Sequence, residues 1–317
     1  MSVDLDALAQ RIANELARAD LAVRPNGASP RPPAPPPGSA VANRPAAQLL
    51  TASSDAPPGV EYVRANARIG DFIDHTLLKA EATAREVEQL CVEAGENKFA
   101  AVCVNPVWVK LCAQRLRGTE VAVCTVIGFP LGASRSDVKA FEAQRAVDDG
   151  AEEIDMVAAV GQIKSGDWHY VADDIAAVVA AAPGRLEKVI IESAALTPVE
   201  IIKASALARE AGAHYVKTST GFHAAGGASA EAVALMRLIV GDAMGVKASG
   251  GVRDCSAALK MIAAGATRIG TSGGVAMAKC LGPGPLPLRE LLESPLVHGE
   301  KCVTCSVPAA APGGQVY

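Results

Sequence analysis

Aromatic residues are scarce. Four Tyr, five Phe and two Trp are spread over 317 residues. That leaves little for base stacking, and a formal net charge of −4 supplies no basic surface for nucleic acid or anionic membrane. No apolar run reaches the roughly 18 residues of a membrane span. The start, Met-Ser-Val-Asp-Leu-Asp, has no basic stretch followed by an apolar one, so no secretory signal is expected and the cytoplasm is the expected compartment. Only five His occur, well separated, and there is no His-Glu-x-x-His, P-loop or dinucleotide fingerprint. Neither a metal nor an organic cofactor is therefore expected.

Most of the cysteines (Cys91, Cys103, Cys112, Cys124, Cys255 and Cys280) lie scattered through apolar segments, as buried reduced thiols do. Cys302 and Cys305 form one C-x-x-C. It is half of a zinc site with no second half, so an incidental tail stands beside a redox or metal role.

What is present falls into parts. Residues 1–21 read as a short amphipathic helix, with Leu5, Leu8, Ile12 and Leu16 on one stripe. Residues 22–65 are a Pro/Ala/Gly-rich linker that cannot make a core and is expected to be disordered. Residues 66–300 are regular, and residues 301–317 form a tail. In the regular part, eight β-like runs alternate with helix-length amphipathic stretches. The runs are Asp71–His75, Phe99–Val104, Val121–Ile127, Glu153–Val157, Lys188–Glu192, His214–Thr218, Gly245–Ala248 and Arg268–Gly270. Gly95, Gly150, Gly212 and Gly265 are placed to end helices. Eight β–α units in roughly 230 residues predict an α/β fold, a closed (β/α)8 TIM barrel. The competitor is an open doubly wound sheet, but Ile73-Asp-His-Thr-Leu-Leu is no dinucleotide loop.

Two lysines carry the chemistry. Lys217 and Lys247 end or interrupt two successive β-branched runs, each followed by a loop of small residues. A buried lysine is costly unless it is paired or reactive. Two together suggest an amine kept neutral by the other's charge, and hence nucleophilic toward an aldehyde. Strand alternation turns Asp155 and Asp74 toward the same interior, and all four lie toward C-terminal strand ends. A structural ion-pair cluster is the bland alternative. By the same alternation His75 and His214 are packing residues. Two Gly-rich loops, Ala248-Ser-Gly-Gly-Val and Gly270-Thr-Ser-Gly-Gly, follow strands seven and eight, the recurrent phosphate position of such barrels.

The runs Ile73-Asp-His-Thr-Leu-Leu-Lys, Val102-Cys-Val-Asn-Pro, Thr125-Val-Ile-Gly-Phe-Pro-Leu-Gly, Glu153-Ile-Asp-Met-Val, Lys188-Val-Ile-Ile-Glu, Val216-Lys-Thr-Ser-Thr-Gly-Phe and Val246-Lys-Ala-Ser-Gly-Gly-Val-Arg resemble bacterial deoxyribose-phosphate aldolases. Arg268-Ile-Gly-Thr-Ser completes the match, which spans about residues 66–290 in the family's order. The resemblance implies a class I lyase that cleaves 2-deoxy-D-ribose 5-phosphate to acetaldehyde and D-glyceraldehyde 3-phosphate, in carbohydrate and deoxyribose phosphate catabolism. It implies Lys217 as the Schiff-base lysine, Lys247 and Asp155 as the proton donor/acceptor pair, and Asp74 as a further active-site acid. Gly250, Gly251, Gly270, Ser272 and Gly273 are its implied phosphate contacts. Some members have Lys where Phe222 stands, and many have Ser at Gly273. Residues 3–20 resemble encapsulation peptides of bacterial microcompartment cargo, so shell or cargo proteins are an expected partner and a microcompartment an expected address. A homo-oligomer is among the assemblies the resemblance admits. A catalytically dead barrel, or another phosphosugar lyase or isomerase, are the competing readings.

Overall fold

The computed structural model describes residues 67–282 and, beyond them, Gly284, Leu292 and Val297. The expected N-terminal helix, the linker and the C-x-x-C tail lie outside the described residues. Within them, eight strands close into one parallel barrel in sequence order: β1 (Ile73–Leu77), β2 (Ala101–Val104), β3 (Ala122–Ile127), β4 (Glu153–Val157), β5 (Leu186–Ile190), β6 (Tyr215–Lys217), β7 (Gly245–Ser249) and β8 (Arg268–Thr271). Pairing of β1 with β8 closes the ring and excludes the open sheet.

Outside the sheet lie α1 (Ala84–Asn97), α2 (Val109–Arg115), α3 (Ser136–Asp148), α4 (Val160–Ser165), α5 (Trp168–Ala181), α6 (Pro198–Glu210), α7 (Ala230–Val240), α8 (Cys255–Ala263) and α9 (Gly274–Leu281). None of the described helices is long and apolar enough to cross a membrane. Their starts are set locally. Thr83 with Glu86, and Thr197 with Glu200, form reciprocal capping boxes, and Asp167, Ser229 and Asp254 each accept a first-turn N–H. Gly150, Gly212 and Gly265 follow helix ends at positive φ as expected. Gly95 does not: α1 runs on to Asn97 and ends at Lys98 in the left-handed region, because the Lys98 N–H closes back on Ala94 and Gly95.

Two cores result. The larger fills the space between sheet and helices, with Ile73, Val102, Ile154, Met156, Val189 and Val216 on the outward strand faces. His75 belongs to this layer: it is buried, its Nε2 lies 2.7 Å from Glu93, and its ring tilts against Phe99. The smaller core is inside the barrel, built on β1–β3 from Leu78, Ala101, Cys103, Ala122, Cys124 and Val126, with Phe129 and Phe222 packed over it. The remaining strands fill the interior with charge. Ala101, Ala122, Gly245 and Gly270 are small where barrels of this kind usually carry branched side chains. Longer side chains take the space at the two glycines: a Cβ on Gly245 would stand 2.2 Å from the Tyr215 ring, and one on Gly270 3.1 Å from Lys247 Cε.

Candidate active site

The register brings the lysines together. Lys217 and Lys247 are direct Cα partners across β6 and β7, and Asp155 is the partner of Lys188 across β4 and β5. The two pairs are offset by two residues, since Lys188 partners Tyr215 and Ile190 partners Lys217, and the long lysine side chains close that step onto Asp155. Asp155 Oδ2 accepts from Lys217 Nζ and Lys247 Nζ, both at 2.7 Å. Asp155 Oδ1 accepts from Lys188 Nζ at 2.8 Å and from the Cys124 thiol at 3.1 Å. Lys247 also meets Asp74 Oδ2 at 2.5 Å. Arg268 bridges Asp74 and Glu153, and Lys188 reaches Glu153 at 2.6 Å. All seven charged residues are buried.

The electrostatics follow from that packing. Burial would raise the Asp155 carboxyl, but the Lys188, Lys217 and Lys247 ammonium groups overturn this and hold it well below the usual carboxylate range. Asp74 behaves likewise: burial opposes its charge, and Arg268 and Lys247 more than compensate. Burial also opposes the charge on Lys188 and Lys247, yet their carboxylate partners hold both protons more firmly than in water. Burial pushes the Cys124 thiol well up, so it serves as a neutral donor.

Four cationic side chains thus face three carboxylates: Lys188, Lys217, Lys247 and Arg268 against Asp74, Glu153 and Asp155. A dry interior disfavours an unmatched charge. The cluster balances when one ammonium gives up its proton. Lys217 has one carboxylate contact, shared with Lys247, while Lys188 and Lys247 each meet more than one carboxylate. Direct repulsion between two ammonium groups, the sequence-based expectation, is therefore incomplete. An anionic oxygen, Asp155 Oδ2, lies between the two amines and is bonded to both.

Two sets of potential ligand atoms converge here, Cys103, Cys124 and Asp155, and Asp74, Cys124 and Glu153. Ammonium and guanidinium groups already occupy their carboxylates. This donor set does not suit a further cation.

The Gly-rich loops border the cluster. Gly250 and Gly251 take φ +86° and +80°, a conformation that favours glycine. Gly250 lies against Gly227, whose Cβ would fall 2.1 Å from the Gly250 carbonyl oxygen. Thr271 Oγ1 donates to the Val252 carbonyl at 2.6 Å and accepts from Gly273 N, tying the two loops together. Ser272 is exposed beside them, and Gly270 belongs to β8, buried against Lys247 and Ser249. The start of α8 is occupied by the Asp254 carboxylate, whereas α9 is preceded by Gly273 and has no side-chain cap. Of the two helix starts behind the Gly-rich loops, only the second is free of a side-chain cap.

A family model for DeoC/LacD family aldolases matches residues 71–279, from just before β1 into α9. The chain belongs to the DeoC/LacD aldolase family. It is 55% identical over 213 residues to the deoxyribose-phosphate aldolase of Mannheimia succiniciproducens, covering 67% of this chain and 95% of that one. The corresponding enzyme of Lysinibacillus sphaericus is 58% identical over 207 residues, covering 65% and 92%. Among solved structures, the tetrameric deoxyribose phosphate aldolase of Aeropyrum pernix superposes with a TM-score of 0.62 at 34% identity, covering 67% of this chain and 91% of that one.

All four lysines and acids singled out from sequence meet in the family's barrel. Sequence reasoning missed Lys188, Glu153, Arg268 and Cys124 as members of the cluster. Glu153 shares a strand face with Asp155, and alternation along β5 would have placed Lys188 inward. Arg268 and Cys124 carry no comparable signal, since only strand order puts β8 beside β1 and only register sets Cys124 against Glu153.

Proposed function

We infer that this chain is a Schiff-base aldolase acting reversibly on 2-deoxy-D-ribose 5-phosphate, giving acetaldehyde and D-glyceraldehyde 3-phosphate. The observation that carries the inference is the single Asp155 oxygen shared by Lys217 and Lys247 inside a buried cluster with one excess cation. The identity to curated deoxyribose-phosphate aldolases supports the substrate.

The substrate phosphate rests on the loops of Gly250, Gly251, Ser272 and Gly273 at the open start of α9, which fixes the register of the open-chain sugar. Neutral Lys217 attacks the aldehyde carbon, and loss of water gives an iminium. That step restores the cluster's unmatched positive charge. Cleavage between carbons two and three relieves it, because the bonding pair flows into the iminium and leaves a neutral enamine. The hydroxyl proton on carbon three departs through the Lys247–Asp155 pair. Asp155 is held ionised by its cationic neighbours, so the pair passes the proton onward to the enamine carbon and does not store it on the carboxylate. The enamine carbon is then protonated, and water hydrolyses the imine to release acetaldehyde.

Acetaldehyde with borohydride should add one ethyl group, mapped to Lys217 by peptide mass spectrometry. Lys217→Met should abolish both labelling and cleavage of deoxyribose 5-phosphate. Labelling of another lysine would reassign the nucleophile. The stripe at residues 3–20 supports a separate proposal, that this segment docks on microcompartment shell or cargo proteins. Removing residues 1–60 should then leave turnover unchanged and end co-purification with a shell.

A further inference from the structure

The loop after Lys217 is held from both sides. On the β7 side Ser249 Oγ donates to the Ser219 carbonyl at 2.7 Å, and Ser249 N donates to Thr218 Oγ1 at 3.0 Å. On the β5 side stands Glu192, a residue the mechanism above does not use. It lies just past β5, is 2% exposed, and has φ +56° and ψ +54°. Non-glycine residues seldom adopt that left-handed conformation, and it persists only where neighbouring structure enforces it. Here Ile191 N and Ser193 N, on either side of Glu192, donate to the carbonyls of Lys217 and Thr218 at 3.0 and 2.8 Å. This pins the backbone around Glu192 against β6.

Its carboxylate spans the gap to the loop. Glu192 Oε1 and Oε2 accept from Thr220 N at 3.2 and 3.3 Å, and Oε2 accepts from Thr220 Oγ1 at 2.6 Å. Thr220 Oγ1 in turn accepts from Phe222 N at 3.1 Å. The hydroxyl accepts on one side and donates on the other, so the chain runs in one direction, from Phe222 N through Thr220 to Glu192. At its end the Phe222 ring meets Phe129 edge to face, centroids 5.2 Å apart, over the apolar half of the barrel interior. Phe129 comes from the loop after β3, so this contact spans the mouth of the site.

We propose that Glu192 is a positioning residue for the aldol reaction, acting through Thr220 to hold the Phe222 loop across the mouth, where it orders the substrate beyond its first two carbons. The proposal rests on the aldolase reading and makes a prediction that reading does not. Acetaldehyde alone needs only the amine cluster, whereas the five-carbon phosphate must also fit under the loop.

The test uses the full chain with Glu192→Gln and Thr220→Val, singly and together. Each single variant should lower kcat/KM for deoxyribose 5-phosphate about tenfold or more, the range for loss of a charge-assisted hydrogen bond. Thr220→Ser should restore most of it. The double variant should be no worse than the poorer single one, since both break one chain. Reductive trapping of acetaldehyde on Lys217 should stay within about twofold of the parent in all of them, given its independence of the loop. Amide hydrogen exchange should quicken at Thr220 and Phe222 but not in β1–β4. Multiplying losses, unchanged exchange at Phe222, or kcat/KM within twofold of the parent would overturn the proposal. Loss of trapping in parallel with kcat/KM would also overturn it, by showing general collapse of the site. An unmodified protein inactive on deoxyribose 5-phosphate yet trapped by acetaldehyde would overturn the substrate assignment, with the exchange result still deciding the role of Glu192.

Discussion

Glu187 offers a quantitative check on how this barrel handles charge. It sits beside Lys188 on β5 but faces the other way, into the apolar layer under the helices. Both carboxyl oxygens are buried without a hydrogen-bond partner. Burial alone lifts its carboxyl from 4.5 to about 8. The folded protein therefore holds a proton that the unfolded chain has lost over that interval. The sign is fixed: relative to an uncharged isostere, stability is intact below about pH 4.5, declines as pH rises, and levels off above about pH 8. At 1.36 kcal/mol per pH unit, the gap between 4.5 and about 8 amounts to roughly 4–5 kcal/mol at most. Any water drawn to the carboxylate would reduce it, so about 2–5 kcal/mol is the expected range. Glu187→Gln removes the ionisation and keeps the shape. Urea unfolding of parent and variant at pH 5, 7 and 9 gives the difference directly, with His214 and every other group common to both. The two should coincide near pH 5, and the variant should gain steadily to pH 8. Parallel curves at all pH values, or a variant less stable at pH 9, would refute the reasoning.

Other consequences are more direct. Lys188→Met removes a partner from both Asp155 and Glu153. By the usual cost of breaking a buried pair, it should lower stability by about 3–5 kcal/mol in urea unfolding and depress kcat sharply. Gly270→Ala would press a methyl to 2.9 Å from Ser249 Cβ and 3.1 Å from Lys247 Cε. It should cut kcat with little change in KM, because it moves the amine and leaves the phosphate loops in place. Lys139→Met breaks a fully buried pair, Lys139 Nζ with Asp174 at 2.6 Å, that also caps the Val157 carbonyl. A stability loss of about 3–5 kcal/mol should appear as a lower denaturation midpoint.

Where the sequence was legible, it was because one physical signal dominated. The run Glu153–Val157 is bounded as expected, since apolar alternation and flanking breaks coincide there. β5 shows the opposite. It was expected over Lys188–Glu192 but occupies Leu186–Ile190. Two adjacent charged residues, Glu187 and Lys188, blur its start, and Glu192 leaves the strand because its carboxylate is needed over Thr220. The short helices α2, α4 and α9 left the weakest trace in the sequence. Each has eight residues or fewer, too short for a clear 3.6-residue pattern. For the site, alternation within a strand was readable and found Lys217, Lys247, Asp155 and Asp74. Depth across strands was not, because it depends on register, and so the opposing charges on β5 and β8 stayed hidden.

The packing of Tyr215 on Gly245, so tight that a Cβ there would fall 2.2 Å from the ring, fills the barrel interior two residues before the amines. With Arg268 and Glu153 also buried in the interior, side chains pack that end of the barrel as they do in folds of this kind. Traffic through a single doorway imposes an order. In cleavage the phosphorylated fragment departs ahead of the two-carbon remnant still tethered behind it. In synthesis the donor must enter first, and a crowd of acceptor at the threshold would slow the very reaction it feeds.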